Sequence, residues 1–209
     1  YLMFLILIAA YLLGSIQFTY IFIKFFYKKN IYSIGFQNAG FSNVYREFGM
    51  RPGLLVGIFD LAVKGFIPIY LLDSFNISNL YLYLSSLIIV CGHLFSVFNG
   101  FKGGRGILTT IGVVLALGFW KEVLVIILIF KILEYFFWKN NGLSTFFGII
   151  TFMFVIPFSF EDILFVIFFE LIFILLLFKR VITNNISMNL DLSVFMNRVL
   201  FDSNSYKNK

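Results

Sequence analysis

Long apolar runs separated by short polar segments dominate the chain. They fall at about Leu2–Ile23, Gly53–Leu72, Leu80–Phe98, Ile107–Trp120, Val123–Trp138, Leu143–Phe160 and Ile163–Phe178. Runs of this length and continuity predict an all-α integral membrane protein, a bundle of about seven transmembrane helices. A helix rises about 1.5 Å per residue, so a hydrocarbon core of about 30 Å calls for about twenty residues, and several of these runs are shorter. Ile107–Trp120 is the shortest. It is either a full span or a half-helix that starts inside the protein with its N-terminus aimed at something polar, and five spans are the competing count. No internal repeat or low-complexity stretch divides the sequence, so one domain over residues 1–209 is expected. The opening run is too long, and too free of a small-residue cleavage site, for a signal peptide, and it predicts an anchor.

The polar segments between the runs set an orientation. Lys24, Lys28, Lys29, Arg46 and Arg51 stand against Glu47 alone in the segment from Lys24 to Pro52, whereas Asp73 to Asn79 carries no base. Lys102 and Arg105 follow, then a balanced Lys121 and Glu122, then Lys139, an acidic Glu161-Asp162, and a tail with Lys179, Arg180, Arg198, Lys207 and Lys209. Basic and non-basic loops alternate. Under the positive-inside rule this places the N-terminus outside, and the glycine-rich loops and the tail after about residue 180 in the cytoplasm.

Composition agrees with lipid as the solvent. Hydrophobic residues make up 61% of the chain and charged residues 12%, too few polar groups to cover a soluble domain of this length. The net charge of +6 is interleaved with apolar runs, so the bases face anionic lipid or set topology, and nucleic acid is not an expected partner. Cys91 is the single cysteine and supports neither a disulfide frame nor a cysteine metal site. The many Phe and Tyr residues read as lipid-facing bulk and interfacial belt.

Two glycine-punctuated segments on the cytoplasmic side are more polar than a connector needs. In Gly35-Phe36-Gln37-Asn38-Ala39-Gly40-Phe41-Ser42-Asn43-Val44-Tyr45-Arg46, glycines let backbone N–H groups converge on an anion, Asn38 and Asn43 are neutral donors, and Arg46 is a charged fork. The same stretch also reads as a surface turn followed by a basic interfacial helix. In the second segment, Gly92 to Gly106, Lys102-Gly103-Gly104-Arg105-Gly106 runs straight into an apolar helix. Backbone amides, the positive end of a helix dipole and two cations would then meet at one point, as an anion cradle. Its spacing is not that of a Walker A loop, and topology-setting charge with flexible glycines is the alternative. His93 is either a packed, hydrogen-bonded residue or a base, and with no Cys, His or carboxylate cluster around it in the sequence no metal site is expected. Asp60 and Lys64, four apart in the second run, form an ion pair or line a polar cavity. Lys131 and Glu134 take the same reading, and Glu170, alone in the last run, is expected to face the bundle or find a base.

Together these segments resemble the bacterial acyl-phosphate:glycerol-3-phosphate acyltransferase family, membrane enzymes that make lysophosphatidic acid. Tyr11-Leu12-Leu13-Gly14-Ser15-Ile16 is similar to the family's first helix, with Gln17 where a proline usually follows. Gly35 to Arg46 resembles G-S-G-N-x-G-A-T-N-x-x-R, closed by Gly49. Asp60 and Lys64-Gly65 match D-x-x-K-G. Gly92 to Gly106 resembles G-H-x-F-P-V-F-x-x-F-K-G-G-K-G, with Ser96 for proline and Arg105 for the second lysine. Departures are Phe36 for serine, Gln37 for glycine, Gly142-Leu143-Ser144-Thr145 for S-L-x-S, and Ile182 for the histidine of H-x-x-N-I, whose asparagine is Asn185.

The resemblance implies acyl transfer from acyl phosphate to glycerol 3-phosphate, without metal or organic cofactor, by a multi-pass protein of the bacterial inner membrane in contact with membrane lipids. It implies catalytic roles for Arg46, Lys102, Asn185 and His93. Gly35, Asn38, Gly40, Asn43, Gly103, Gly104 and Arg105 would bind substrate or phosphate, and Asp60, Lys64 and Ser144 would line a cavity. Two other classes stay open. One is a catalytically impaired family member that binds a lipid headgroup or a partner, favoured by Phe36, Gly142 and Ile182 and opposed by the intact Lys102-Gly103-Gly104-Arg105 and Arg46. The other is a transporter with Asp60, Lys64 and Glu170 along a path, for which inverted repeats are missing.

Overall fold

Each apolar run of the sequence is helical in the computed structural model, which describes residues 1–137, 141–159, 162–182, 184 and 192–201. The chain forms two compact units, Tyr1–Phe119 and Trp120 onward.

In the first unit the opening run is two helices, α1 (Leu2–Ser15) and α2 (Phe18–Tyr27), where the sequence predicts one. Ile16 is extended, with φ −67° and ψ 106°. A break inside an apolar span is tolerated only if the freed backbone groups find partners, and here the Ser15 carbonyl accepts the Ser96 hydroxyl at 2.5 Å. A 3-10 turn (Ile31–Ser33) and a short helix, α3 (Phe41–Phe48), carry the first glycine segment. The second run is one continuous rod made of α4 (Met50–Ile58), a π-helical segment (Phe59–Phe66) and α5 (Ile67–Ser74). The π stretch holds both Asp60 and Lys64, and widened turns of this kind recur at functional sites. α6 (Asn79–Leu94) leads through a 3-10 turn (Val97–Asn99) to the second glycine segment and then α7 (Ile107–Ala116).

α1 packs along α6, and α7 packs on the π segment. The second crossing is backbone on backbone, since a methyl group at Gly65 would lie 2.5 Å from the Thr109 carbonyl oxygen and 2.9 Å from Gly112 Cα. Small residues give this close approach in membrane bundles.

The second unit comprises α8 (Trp120–Phe136), α9 (Asn141–Ser159), α10 (Ile163–Val181) and α11 (Leu192–Phe201). The sequence reading treats the last of these as tail. Phe165, Phe168, Phe169, Ile172 and Leu176 form a buried stripe along α10. At its end Arg180 donates to the carbonyls of Gly142 (3.0 Å) and Leu200 (3.2 Å), and so ties α10 to α9 and α11. Lys131 and Glu134 pair at 2.8 Å on the exposed side of α8. Glu170 is half-buried, and its Oε1 meets no hydrogen-bond donor among the described residues.

Among the described residues three helical stretches are long and apolar enough to cross a membrane: Leu2–Tyr27, Met50–Ser74 and Asn79–Asn99. Ile107–Ala116 and Gly142–Thr151 are shorter apolar helices.

Candidate functional site

The second glycine segment is built on the end of α6. After Leu94 the chain turns, the amides of Phe101 and Lys102 close onto the carbonyls of Ser96 (2.7 Å) and Asn99 (3.2 Å), and the Gly104 amide returns to the His93 carbonyl at 3.1 Å. Side chains from α1, from the break after it and from the 3-10 turn hold this loop. The Gln17 side-chain amide donates to the same His93 carbonyl at 2.9 Å, Tyr11 donates its hydroxyl to the Phe95 carbonyl at 2.7 Å, and Tyr32 donates to the Lys102 carbonyl at 3.1 Å. Burial, with Tyr20 and Asp60 adding to it, pushes the Tyr32 phenol above its ordinary value, so it remains a neutral donor wherever the protein works. Gly103, Gly104 and Gly106 are buried, while Lys102 and Arg105 on either side are half-buried.

The first glycine segment is held by one amide. Asn43 accepts the Phe36 N–H at 2.8 Å and donates to the carbonyls of Ile34 (3.1 Å) and Asn38 (2.9 Å). It is fully buried, so it shapes the loop from inside and is not an outward donor as the sequence reading has it. Asn38 is buried too, with a long contact of 3.4 Å to the Phe36 carbonyl. Arg46, exposed on α3, stacks its guanidinium over the Phe36 ring at 4.7 Å.

These two loops, some sixty residues apart in sequence, meet. The Ala39 amide donates to the Gly103 carbonyl at 3.4 Å. A methyl group at Gly104 would overlap the His93 ring and lie 2.7 Å from the Ala39 carbonyl oxygen, and one at Gly40 would lie 4.0 Å from the Arg105 amide. Glycine at 104 is therefore required by space. Neither Arg46 nor Lys102 has a carboxylate partner among the described residues.

Beneath the loop, Asp60, Lys64 and His93 form one buried cluster. Lys64 Nζ is 3.2 Å from Asp60 Oδ1 and 2.9 Å from His93 Nδ1, and Asp60 Oδ1 is 3.7 Å from the same ring nitrogen. His93 thus has a single carboxylate neighbour that its surroundings in the sequence do not show: helical spacing pairs Asp60 with Lys64, but only packing brings α6 beside them. With Lys64 as the ammonium paired to Asp60, Nδ1 is the acceptor of this contact, and Nε2 is the nitrogen that faces Gly104. Among the described residues no three His, Cys, Asp or Glu side chains gather as a metal site would need.

Other expected site residues belong to the second unit or fall outside the described residues. Ser144 is buried in α9 of the second unit. Asn185 lies outside the described residues. Ile182 follows α10 with its amide on the Phe178 carbonyl at 3.0 Å, and the neighbouring Asn184 accepts from Lys179 at 2.9 Å. Gln17, Tyr32 and the Ser15–Ser96 contact were not foreseen. The signal for Gln17 is a polar residue inside an apolar run, which needs a partner once buried; the Ser15 contact uses a main-chain carbonyl, which the residue type does not announce.

The model of the glycerol-3-phosphate acyltransferase family matches residues 4–188. The chain belongs to this family. A glycerol-3-phosphate acyltransferase of Lactococcus lactis subsp. lactis is 38% identical over 144 residues, 69% of this chain and 66% of the relative. Glycerol-3-phosphate acyltransferase 2 of Bacillus anthracis is 40% identical over 116 residues, 54% of this chain and 58% of the relative. The chain thus spans between half and about two thirds of these curated relatives. Among solved structures, PlsY, an integral membrane glycerol 3-phosphate acyltransferase, superposes in its glycerol 3-phosphate form with a TM-score of 0.76 at 31% identity, over 86% of this chain and 88% of PlsY. Its lysophosphatidic acid form gives a TM-score of 0.73 at 32% identity. As a glycerol-3-phosphate acyltransferase family member with three apolar stretches of spanning length, the chain is an all-helical integral membrane protein, as its hydrophobic pattern predicts.

Proposed function

We propose that this chain transfers an acyl group from acyl phosphate to the sn-1 hydroxyl of glycerol 3-phosphate and releases inorganic phosphate, a step in phospholipid synthesis. One observation carries this reading: the two glycine loops join at Ala39 and Gly103, with cationic Lys102 and Arg105 on either side and the N-terminus of α7 directly behind. Amides, two cations and a positive helix end suit a phosphate. The relatives' names and the glycerol 3-phosphate and lysophosphatidic acid forms of PlsY support the same substrate and product.

The chemistry asks little of a nucleophile. The acceptor hydroxyl attacks the acyl carbon, the bond from that carbon to the phosphate oxygen breaks, and the departing phosphate takes the hydroxyl proton. Positioning and neutralisation of charge are the protein's tasks. Gly35, Gly103 and Asn38 hold the acyl phosphate, and Gly104, whose amide is taken by the His93 carbonyl, gives the close backbone approach. Arg46, Lys102 and Arg105 hold glycerol phosphate, with Asn185 as a further ligand. No cofactor is needed for these steps.

The alternating basic loops support seven spans with the N-terminus outside, the tail after about residue 180 in the cytoplasm and the protein in the bacterial inner membrane. The family match runs across both compact units, which supports one domain. Cysteines placed at Ser33, Asn99 and Ser203 should label from one side and at Asn76 from the other. Purified protein given palmitoyl phosphate and labelled glycerol 3-phosphate should form labelled lysophosphatidic acid. A folded protein that binds glycerol 3-phosphate without forming it would be a non-catalytic binder instead.

A further inference from the structure

Two buried charges inside a membrane span are costly unless each has a close partner, and Asp60 and Lys64 could satisfy that need alone. They do not stand alone. The Lys64 ammonium lies closer to His93 Nδ1, at 2.9 Å, than to Asp60, at 3.2 Å. His93 is joined to its surroundings at both ends: the ring by Lys64, and the main-chain carbonyl by the amides of Gln17 and Gly104. Gly104 rests directly on the ring, with no room for a methyl group between them. The π segment therefore fixes the ring, the ring fixes the depth of Gly104, and Gly104 fixes where the Gly103 and Gly104 amides and the flanking cations stand. With its side chain 3% exposed beneath Gly104, His93 has no open face toward a substrate held on the loop.

We infer that Asp60, Lys64 and His93 are positioning residues, a chain of contacts from the second apolar rod to the phosphate loop that sets affinity for the phosphate groups held there, and that His93 is not the general base. The inference rests on the loop being the phosphate cradle of the proposed activity, yet its first test needs no turnover. Full-length protein in detergent, native and as Lys64→Met, His93→Leu and His93→Asn, is compared by hydrogen exchange of the backbone at residues 102–106. Lys64→Met and His93→Leu should raise exchange there by about tenfold or more while α1 keeps its protection. His93→Asn retains a polar acceptor where Nδ1 stood and should recover most of the native protection. In steady-state assays the first two variants should raise KM for both glycerol 3-phosphate and acyl phosphate about tenfold, with kcat within about threefold of native.

Unchanged exchange in Lys64→Met and His93→Leu would overturn the inference. So would equal behaviour of His93→Leu and His93→Asn, which indicates a ring that merely fills space, and this pair decides the matter if Lys64→Met does not fold. A hundredfold loss of kcat with native KM and native exchange in every His93 variant would make His93 the base and also overturn it. Loop exchange that responds as expected in a protein with no transfer activity would refute the proposed reaction while leaving the positioning role in place.

Discussion

The two glycine loops are made of similar residues and differ in how they are held. The loop after α6 lies on a buried polar hub, with Gly103, Gly104 and Gly106 enclosed and the carbonyls of Lys102 and Gly103 taken by Tyr32 and Ala39. The loop before α3 is held by the Asn43 side chain, and Gly35, Phe36 and Gln37 are exposed or half-exposed. The sequence departs from the resembled motif in keeping with this. Between Lys102 and Gly106 every glycine is retained, because an added methyl group at 103 or 104 meets backbone. In the first loop a serine and a glycine have become Phe36 and Gln37, large side chains that the open surface accommodates.

The sharpest way to break that comparison is Gly104→Ala. The methyl group would overlap the His93 ring and press on the Ala39 carbonyl oxygen at 2.7 Å, against backbone that cannot swing away. Displacement of a binding loop by about 1 Å can cost about a hundredfold in rate, and transfer activity should fall by at least that much in protein that still elutes as folded. Activity within about threefold of native would show that the loop is as yielding as the first one. Next in size is Lys102→Ala. Loss of a charged hydrogen-bonding partner costs about 1.5 to 3 kcal/mol, so KM for glycerol 3-phosphate should rise about ten- to a hundredfold. Isothermal titration with glycerol 3-phosphate checks this without turnover, and native affinity would return Lys102 to a topology signal.

How much of this was legible in the sequence differs between the loops in the same way. Helical runs, their order and both glycine segments follow from apolar periodicity and turn chemistry, which act locally. The break at Ile16 and the helix at Leu192–Phe201 do not. The break is stabilised by Ser96, eighty-one residues away, and α11 is tied in by Arg180 through the Leu200 carbonyl. Spacing alone puts Asp60 and Lys64 on one face, since four residues make about one turn. It cannot say that His93 faces them, because rotation of α6 about its axis is set by packing with α1. Asn43 was read as a ligand donor because the residue type permits it; the fold points it inward. Asn185 and Ser144 entered through resemblance, and the described geometry of the first unit bears on neither.

Smaller effects belong to the first loop. Arg46 is stacked on Phe36 at 4.7 Å, an exposed cation–π contact of about 0.5 to 1 kcal/mol. Phe36→Ser would free the guanidinium and supply a hydroxyl, so KM for glycerol 3-phosphate should fall by about two- to fivefold. A rise on this substitution would mean that the stacked arrangement is the one that binds, with Phe36 holding Arg46 in place for the acceptor.

The smallest expected effect is on stability, and it tests the comparison from the opposite side to Gly104→Ala. Gln37 sits at φ 55°, in the left-handed region where an L-residue with a Cβ is disfavoured by roughly 1–2 kcal/mol relative to the right-handed one. The resembled motif has glycine there. Gln37→Gly removes that strain, while the added freedom of the unfolded chain returns about 0.4–1 kcal/mol of it. The backbone bond from the Gln37 amide to the Ile34 carbonyl, 2.9 Å, is available to either residue. A net gain of about 0.5 to 1 kcal/mol should appear as a rise of about 1–3 °C in Tm by thermal unfolding in detergent, with KM for glycerol 3-phosphate unchanged. A fall in Tm would show that the Gln37 side chain makes contacts worth more than the strain. The first loop would then be as closely fitted as the second, and Phe36 and Gln37 would be a matched set with no slack between them.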